Sequence, residues 1–249
     1  MLATKTFEES IVREKARELA RKCLELLASD ENAALETLDP LLTTKIDFTT
    51  LDLVGQLLGE WGREEPQKLL AFFDRLVETR KMGGYVIAGH GLIAINDVDL
   101  PLSFARSRRY IVRGDAWYVV DIIGERPLGH GLLVYFDEAV GLLEDFVEDT
   151  NPWVRRSVGV AVHFFAKRVR DDPVRIRRLL ALLAPQIEEQ DTSVLKGVGW
   201  GLKTIGRYYP NLLVTFLHHQ LMTKHPRKLL LRKATTYLDR ARKKAIAST

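Results

Sequence analysis

One nine-residue pattern occurs twice in the chain, forty positions apart, in residues 151–159 and again in residues 191–199. Each copy starts with a polar residue able to cap a helix and continues with valine, a basic residue two places later, a small residue and Val-Gly. A weaker third copy starts at residues 231–234. Such a repeat constrains the fold because each unit must bury its apolar face against the next unit. The chain is therefore predicted to consist of stacked units of similar structure.

Helical periodicity extends over the whole chain. Apolar residues recur every three and four positions, and no long stretch alternates between apolar and polar residues as a half-buried strand does. A period near 40 residues is typical of HEAT and armadillo repeats. We therefore predict an all-α protein, a right-handed superhelical solenoid of HEAT-like antiparallel helix pairs, forming one domain over residues 1–249. The predicted helices lie near residues 5–28, 32–43, 48–62, 66–80, 84–97, 100–112, 116–124, 128–134, 136–148, 153–169, 173–186, 193–208, 210–222 and 226–244.

Basic residues at equivalent positions of the two repeats should share one face of the solenoid. Arg156 in the first copy corresponds to Lys196 in the second, so both are expected to point toward the same surface and to build a basic concave track. The small residues that follow them, Ser157 and Gly197, would let neighbouring helices approach closely.

The net charge of +4 conceals a steep gradient along the chain. Residues 192–249 contain twelve Lys or Arg and a single Asp, a net charge of +11, whereas residues 1–191 carry −7. A run of charge is commonly a solvated face, but clustering in two helical stretches also suits a surface that binds a polyanion. The clustered cations are Lys224, Arg227, Lys228, Arg232, Lys233, Arg240, Arg242, Lys243 and Lys244.

Several classes of protein are disfavoured. The first residues run into a charged helix without the apolar core of a signal peptide, and no apolar run has the length of a transmembrane helix. The single cysteine, Cys23, lies on the apolar stripe of the first predicted helix, which indicates a buried thiol and a reducing setting. The six histidines lack metal-ligand spacing, and no phosphate loop or serine-nucleophile elbow is present. We expect a cytoplasmic protein with no metal, no other cofactor and no membrane partner.

One short helix carries residues suited to chemistry. Trp117 and Asp121 are four positions apart, so they share one helix face. An indole beside a carboxylate can bind and stabilise a cation. The pair can also be purely structural, with Trp117 in the core and Asp121 paired to Arg113 or Arg126.

Three separated segments carry recognisable motifs. Residues 117–121 form a Trp-x-x-x-Asp pattern that is followed by Leu128-Gly129, residues 153–156 form Trp-x-x-Arg, and residues 196–202 form Lys-x-x-Gly-Trp-x-Leu. In this order the motifs resemble the HEAT-like alkylpurine DNA glycosylase family, and the resemblance covers roughly residues 80–245. The chain differs from the family pattern in its bulky apolar residues 118–120 and in the Gly-Glu-Arg-Pro stretch 124–127.

The resemblance implies a DNA repair glycosylase that hydrolyses the N-glycosidic bond of cationic N3- or N7-alkylated purines in duplex DNA, without a base-flipping pocket. It implies that Trp117, Asp121 and Trp200 line the catalytic cleft. We expect a nucleoid-associated monomer that grips DNA mainly through phosphates. The alternatives are a non-catalytic module for branched or damaged DNA and a protein-interaction scaffold. The expected DNA-binding residues are Arg156, which the resemblance places on the backbone beside the lesion, together with Arg155, Lys196, Lys203, Arg232 and Lys233.

Overall fold

The computed structural model describes the backbone of residues 2–247 and the side chains of residues 12–246. These residues form helices and short connections, with no β-strand in the described part of the chain, so the all-α prediction is confirmed. The chain divides into two compact units, the first ending at Gly114 and the second starting at Asp115. That the whole chain forms one domain stays a prediction.

The first unit consists of six helices in two layers. Helices α1, α3 and α5 pack side by side in one layer, and α2, α4 and α6 pack against them in the other. This pairing of sequential helices is the arrangement expected of HEAT-like repeats. Cys23 is fully buried in α1, as predicted, and burial raises the pKa of its thiol to about 12. The helices are α1 (Leu2–Leu27), α2 (Glu31–Thr43), α3 (Phe48–Gly62), α4 (Pro66–Glu78), α5 (Met82–Asn96) and α6 (Leu100–Gly114).

The second unit repeats this two-layer plan. Helices α10, α12 and α14 pack in series, and α9, α11 and α13 form the layer beside them, while α7 and α8 pack on α10. Several helices start at a capping Asn or Asp followed by proline or a β-branched residue, as α10, α11 and α12 do. The helices are α7 (Trp117–Ile123), α8 (Gly129–Val134), α9 (Phe136–Val147), α10 (Pro152–Arg168), α11 (Pro173–Leu183), α12 (Thr192–Tyr208), α13 (Pro210–Leu221), α14 (Lys228–Ala234) and α15 (Arg240–Ala247), with a 3-10 turn at Ala184–Glu188.

Two predicted boundaries are wrong. The interruption expected after residue 124 is a π-helical turn, Gly124–Leu128, which joins α7 to α8 and accommodates Pro127 within a continuous helical run. The single helix expected over 226–244 is instead two helices, α14 and α15. Thr235 and Thr236 bond back to carbonyls of α14, and Asp239 caps α15 by accepting a hydrogen bond from the Arg242 amide.

The repeated Val-Gly pattern marks the closest helix crossing in the second unit. A Cβ atom added to Gly159 of α10 would lie 2.3 Å from the carbonyl carbon and oxygen of Gly197 in α12. A Cβ atom added to Gly197 would lie 2.4 Å from the carbonyl oxygen of Arg156 and 2.8 Å from its Cγ atom. The two glycines therefore let the backbones touch, and they fix where Arg156 stands relative to α12.

The substitution Gly197→Ala is expected to lower the free energy of unfolding by about 2 kcal/mol, because an overpacked backbone contact outweighs the helix propensity gained. Gly141→Ala is the matched control, since a Cβ atom there meets nothing within 4 Å, and it should stabilise the protein by about 0.5–1 kcal/mol. Denaturant titration of both variants measures the difference. Equal stability of the two variants would show that the crossing is not tightly packed.

Candidate active site

An open cleft in the second unit contains all three residues predicted to be catalytic. It has a volume of about 420 Å³, and four helices contribute side chains to it: α7, α10, α12 and α14. The repeat places α10, α12 and α14 in succession, so residues far apart in sequence meet there. The lining residues are Trp117, Asp121, Trp153, Arg156, Ser193, Lys196, Trp200 and Lys233.

Asp121 is held by an ion pair with Arg156. The Arg156 Nη2 atom donates to Asp121 Oδ1 at 2.7 Å, and its Nε atom donates to the same oxygen at 3.3 Å. Arg156 Nη1 also donates to the carbonyl oxygen of Ser193, at 3.2 Å. One guanidinium therefore connects α7 with α10 and α12. The prediction that a structural Asp121 pairs with Arg113 or Arg126 is wrong, because its partner is Arg156.

Burial and neighbouring positive charges have opposite effects on the pKa of Asp121. Burial raises the pKa of the carboxyl above its ordinary value, while the hydrogen bond and charge of Arg156 and the charge of Lys233 lower it. The effect of burial is the larger one, so the pKa of Asp121 is raised overall. The side chain keeps 21% exposure, whereas that of Arg156 keeps 8%. Both hydrogen bonds from Arg156 to the carboxylate end at Oδ1, so this ion pair leaves the Oδ2 atom unused.

The two predicted tryptophans differ in their exposure. Trp117 is 61% exposed and meets the ring of Tyr118 edge-on, with centroids 6.0 Å apart. The interpretation that placed Trp117 in the core is therefore wrong. Trp200 is half-buried, and its ring stacks on His163 with centroids 4.0 Å apart and an interplanar angle of 23°. Of the two predicted tryptophans, Trp200 is thus fixed in place and Trp117 is exposed.

His163 fixes the position of Trp200 through a buried network that sequence reasoning missed. Its Nδ1 atom lies 2.6 Å from Thr204 Oγ1, and that hydroxyl donates to the carbonyl oxygen of Trp200 at 3.1 Å. The His163 Nε2 atom is 3.8 Å from Glu125 Oε1. Burial, together with Lys167, Arg168 and Lys203, lowers the pKa of His163 to about 4, so the ring is neutral at neutral pH. The only signal in the sequence was the spacing of residues 163 and 204, about one repeat apart.

His163 is expected to make stability depend on pH. Its pKa is about 4 in the folded state against 6.5 when unfolded, so the unfolded chain takes up a proton first as the pH falls. The difference is worth about 3 kcal/mol, lost between pH 6.5 and pH 4. His163→Gln cannot titrate there and can still bond to Thr204, so its free energy of unfolding should fall less steeply. Parallel denaturation curves at several pH values test this, and identical slopes would contradict it.

The predicted DNA-binding cations separate into different surroundings. Lys196 is exposed and Lys233 half-buried at the cleft, and burial together with neighbouring cations lowers the pKa of Lys233. Arg155 does not line the cleft, because its guanidinium bonds to Glu189 and to the carbonyls of residues 149 and 150. Arg232 is exposed on α14 outside the lining set, and Lys203 lies over the ring of Tyr237.

Trp153 is a further lining residue, which the sequence placed in a motif without assigning it a role. Its Nε1 atom donates to Asp115 Oδ1 at 2.7 Å. Asp115 has a φ of 45°, in the left-handed region that Asp tolerates better than most residues. The turn before α7 thus orients an indole of α10 toward the cleft.

The described residues hold neither a cluster of metal ligands nor a membrane-spanning helix. Among the described residues, no three His, Cys, Asp or Glu side chains are grouped as metal ligands would be. No helix within 2–247 is both long and apolar enough to cross a bilayer.

Fold and site together define an all-helical protein with a cationic, indole-lined cleft around one carboxylate. The family model described as DNA alkylation repair enzyme matches residues 50–238, and the chain belongs to that family. No curated protein matches the chain. The crystal structure of an engineered protein is similar at 15% identity and a TM-score of 0.41. That match covers 94% of this chain, which spans 64% of the length of the engineered protein.

Proposed function

We propose that this DNA alkylation repair enzyme is a glycosylase that releases cationic N3- or N7-alkylated purines from duplex DNA. The observation that carries the proposal is the meeting of Trp117, Asp121 and Trp200 in one open cleft with basic side chains around it. The family match supports DNA repair as the setting. Cytoplasmic location at the nucleoid belongs to the same proposal.

The chemistry of the substrate limits what the protein must supply. An alkylated purine ring carries a positive charge, so it can leave with the bonding electron pair as a neutral base and needs no general acid. The deoxyribose becomes oxocarbenium-like, water adds to its C1′ atom, and one proton is released as the abasic sugar forms. The enzyme therefore needs groups that stabilise a cationic sugar and position water.

Asp121 suits the stabilising role. Its carboxylate is poorly hydrated and lies beside the cleft, so its attraction for a developing positive charge is weakly screened. Arg156 holds Oδ1, and Oδ2 would be the oxygen directed at the sugar and the attacking water. The ion pair fixes the carboxylate before substrate arrives, which removes the cost of orienting it during the reaction.

The indoles suit recognition of a cationic nucleotide. An aromatic face within about 6 Å of a cation contributes about 0.5–2 kcal/mol, and the contribution grows as water is excluded. Trp200 is immobilised on His163, whereas Trp117 is exposed at the opening of the cleft. We infer that Trp200 forms the floor against the nucleotide and that Trp117 closes over it.

Phosphate contacts would hold the duplex without reading its sequence. Arg155 and Arg156 are engaged by internal partners, so four of the six expected cations are better placed for phosphates: Lys196, Lys203, Arg232 and Lys233. Neutralising four phosphates predicts that affinity falls about 100-fold between 50 and 200 mM salt. The lesion would be processed while largely stacked.

A second candidate function is a non-catalytic module that binds branched or damaged DNA. The ion pair between Asp121 and Arg156 favours it, since a carboxylate engaged by a buried guanidinium can be a structural link between helices. The basic lining of the cleft suits this function equally well.

One experiment separates these functions. Duplex DNA containing 7-methylguanine is incubated with the protein, and free base and abasic sites are quantified beside the affinity for undamaged duplex at 50 and 200 mM salt. Base release with salt-sensitive binding supports the glycosylase. Salt-sensitive binding without release on several cationic lesions supports the module. Absence of duplex binding at 50 mM salt would remove both and favour a protein-interaction scaffold.

A further inference from the structure

A row of alternating cations and aromatic rings lies at the C-terminal end of α12, which we call the cation-aromatic strip. Lys203 Nζ is 5.0 Å from the ring centroid of Tyr237, and Arg207 Cζ is 5.1 Å from the same centroid. Arg207 Cζ is also 5.6 Å from the ring centroid of Tyr208, and Arg170 Cζ lies 4.7 Å from that same centroid. Five side chains are thus connected in one continuous row.

The strip starts beside the cleft. Lys203 is one helical turn after Trp200 on α12, and its charge contributes to lowering the pKa of Lys233, which lines the cleft. Tyr237 is four residues after Lys233, in the turn that separates α14 from α15. A ligand that lies in the cleft and extends out of it along the C-terminal end of α12 would therefore contact the strip.

The strip is accessible and carries uncompensated charge. Tyr237 is 48% exposed, and Arg170 and Arg207 are exposed as well. Among the described residues, no carboxylate forms an ion pair with the three cations of the strip. Arg207 lies in the last turn of α12, where a positive charge stabilises the C-terminal end of a helix. That effect accounts for one cation in the last turn, but not for a row of three separated by two rings.

Cations alternating with one exposed ring, Tyr237, and one half-buried ring, Tyr208, match one class of ligand. Single-stranded nucleic acid presents phosphates at regular intervals and unpaired bases whose faces are free to stack on tyrosine or on guanidinium planes. Paired bases of a duplex do not offer those faces. A solvated basic face would need no exposed aromatic ring.

We propose that the cation-aromatic strip binds a single-stranded DNA segment that adjoins the duplex held in the cleft. The proposal rests on the proposed function only in taking DNA as the occupant of the cleft, and it does not require catalysis. It gives the protein a preference for lesions near gaps, ends and branches over lesions within continuous duplex.

The test compares a blunt duplex with the same duplex carrying a thymidine overhang of about ten nucleotides at either end, a length within known single-strand site sizes. Of the two overhang duplexes, wild-type protein should bind at least one about 5-fold or more tightly than it binds the blunt duplex. Tyr237→Ala and Arg207→Ala should lose that preference while binding blunt duplex as before. Tyr237→Phe should keep it, because stacking uses the ring.

Arg177→Ala is the charge-matched control, since Arg177 is exposed on α11 and makes none of the ring contacts of the strip. It should leave the overhang preference intact. The proposal is overturned if overhangs add nothing to wild-type affinity, or if Tyr237→Ala weakens blunt and overhang binding equally. Release of 7-methylguanine from blunt duplex, measured in parallel, reports on the glycosylase independently. Overhang preference without base release would therefore support the strip while removing the enzyme.

Discussion

Asp121→Asn is expected to lower the rate of 7-methylguanine release by about 100- to 1,000-fold, the effect of removing one preorganised electrostatic group from an active site. Asparagine keeps the shape of the side chain and an oxygen for Arg156, so the protein should fold and bind DNA. It loses the negative charge that would stabilise the oxocarbenium-like sugar. The rate is measured under single-turnover conditions, which separate chemistry from product release.

Asp137→Asn is the matched control for this substitution. Asp137 is an 85% exposed carboxylate on α9, paired with Arg178, and does not line the cleft. Its removal should leave base release unchanged. Burial raises the pKa of Asp121, so its carboxylate becomes protonated at a higher pH than that of an ordinary aspartate. Wild-type activity should therefore be lost at a correspondingly higher pH when the solution is acidified. Equal rates for Asp121→Asn and Asp137→Asn would remove Asp121 from catalysis.

Arg156→Met is expected to lower the free energy of unfolding by about 3–5 kcal/mol, because it leaves the poorly hydrated Asp121 carboxylate without its partner. It also removes the donor to the Ser193 carbonyl and with it the connection between three helices. The pKa of Asp121 should rise further, since the opposing influence of the guanidinium is gone. Denaturant titration at neutral pH measures the loss.

Two comparisons make this expectation specific. Arg178→Met breaks the exposed pair with Asp137 and should cost no more than about 1 kcal/mol. The double variant Arg156→Met with Asp121→Asn removes the unpaired charge, so it should be more stable than Arg156→Met alone. A cost for Arg156→Met as small as that for Arg178→Met would show that the ion pair does not hold the cleft together.

The meeting of the site residues was predictable because it follows from local geometry and from the repeat. Trp117 and Asp121 share a helix face by their spacing, and the forty-residue period places Arg156 and Lys196 at equivalent positions on neighbouring helices. Membership of the DNA alkylation repair family was likewise indicated by three motifs in the right order. These signals depend on residues close in sequence or in repeat register.

Contacts fixed only by packing could not be predicted. Arg155 and Arg156 are adjacent and equally basic, yet one is bound by Glu189 and the other by Asp121, which depends on how α10 is rotated against its neighbours. The stacking of His163 on Trp200 likewise requires α10 and α12 to touch at their glycines. The break between α14 and α15 is caused by threonine and aspartate side chains bonding to the backbone, which competes with an otherwise helical apolar pattern.

Whether the cleft selects positive charge on the leaving base decides the proposed chemistry. Wild-type protein is given two duplexes of one sequence, one with 7-methylguanine and one with a neutral damaged purine of similar size, and free base is quantified from each. Release of 7-methylguanine with no release of the neutral purine is the expected result. Equal release of the two bases, or release of neither, would contradict a mechanism in which a carboxylate and two indoles act on a cationic nucleotide.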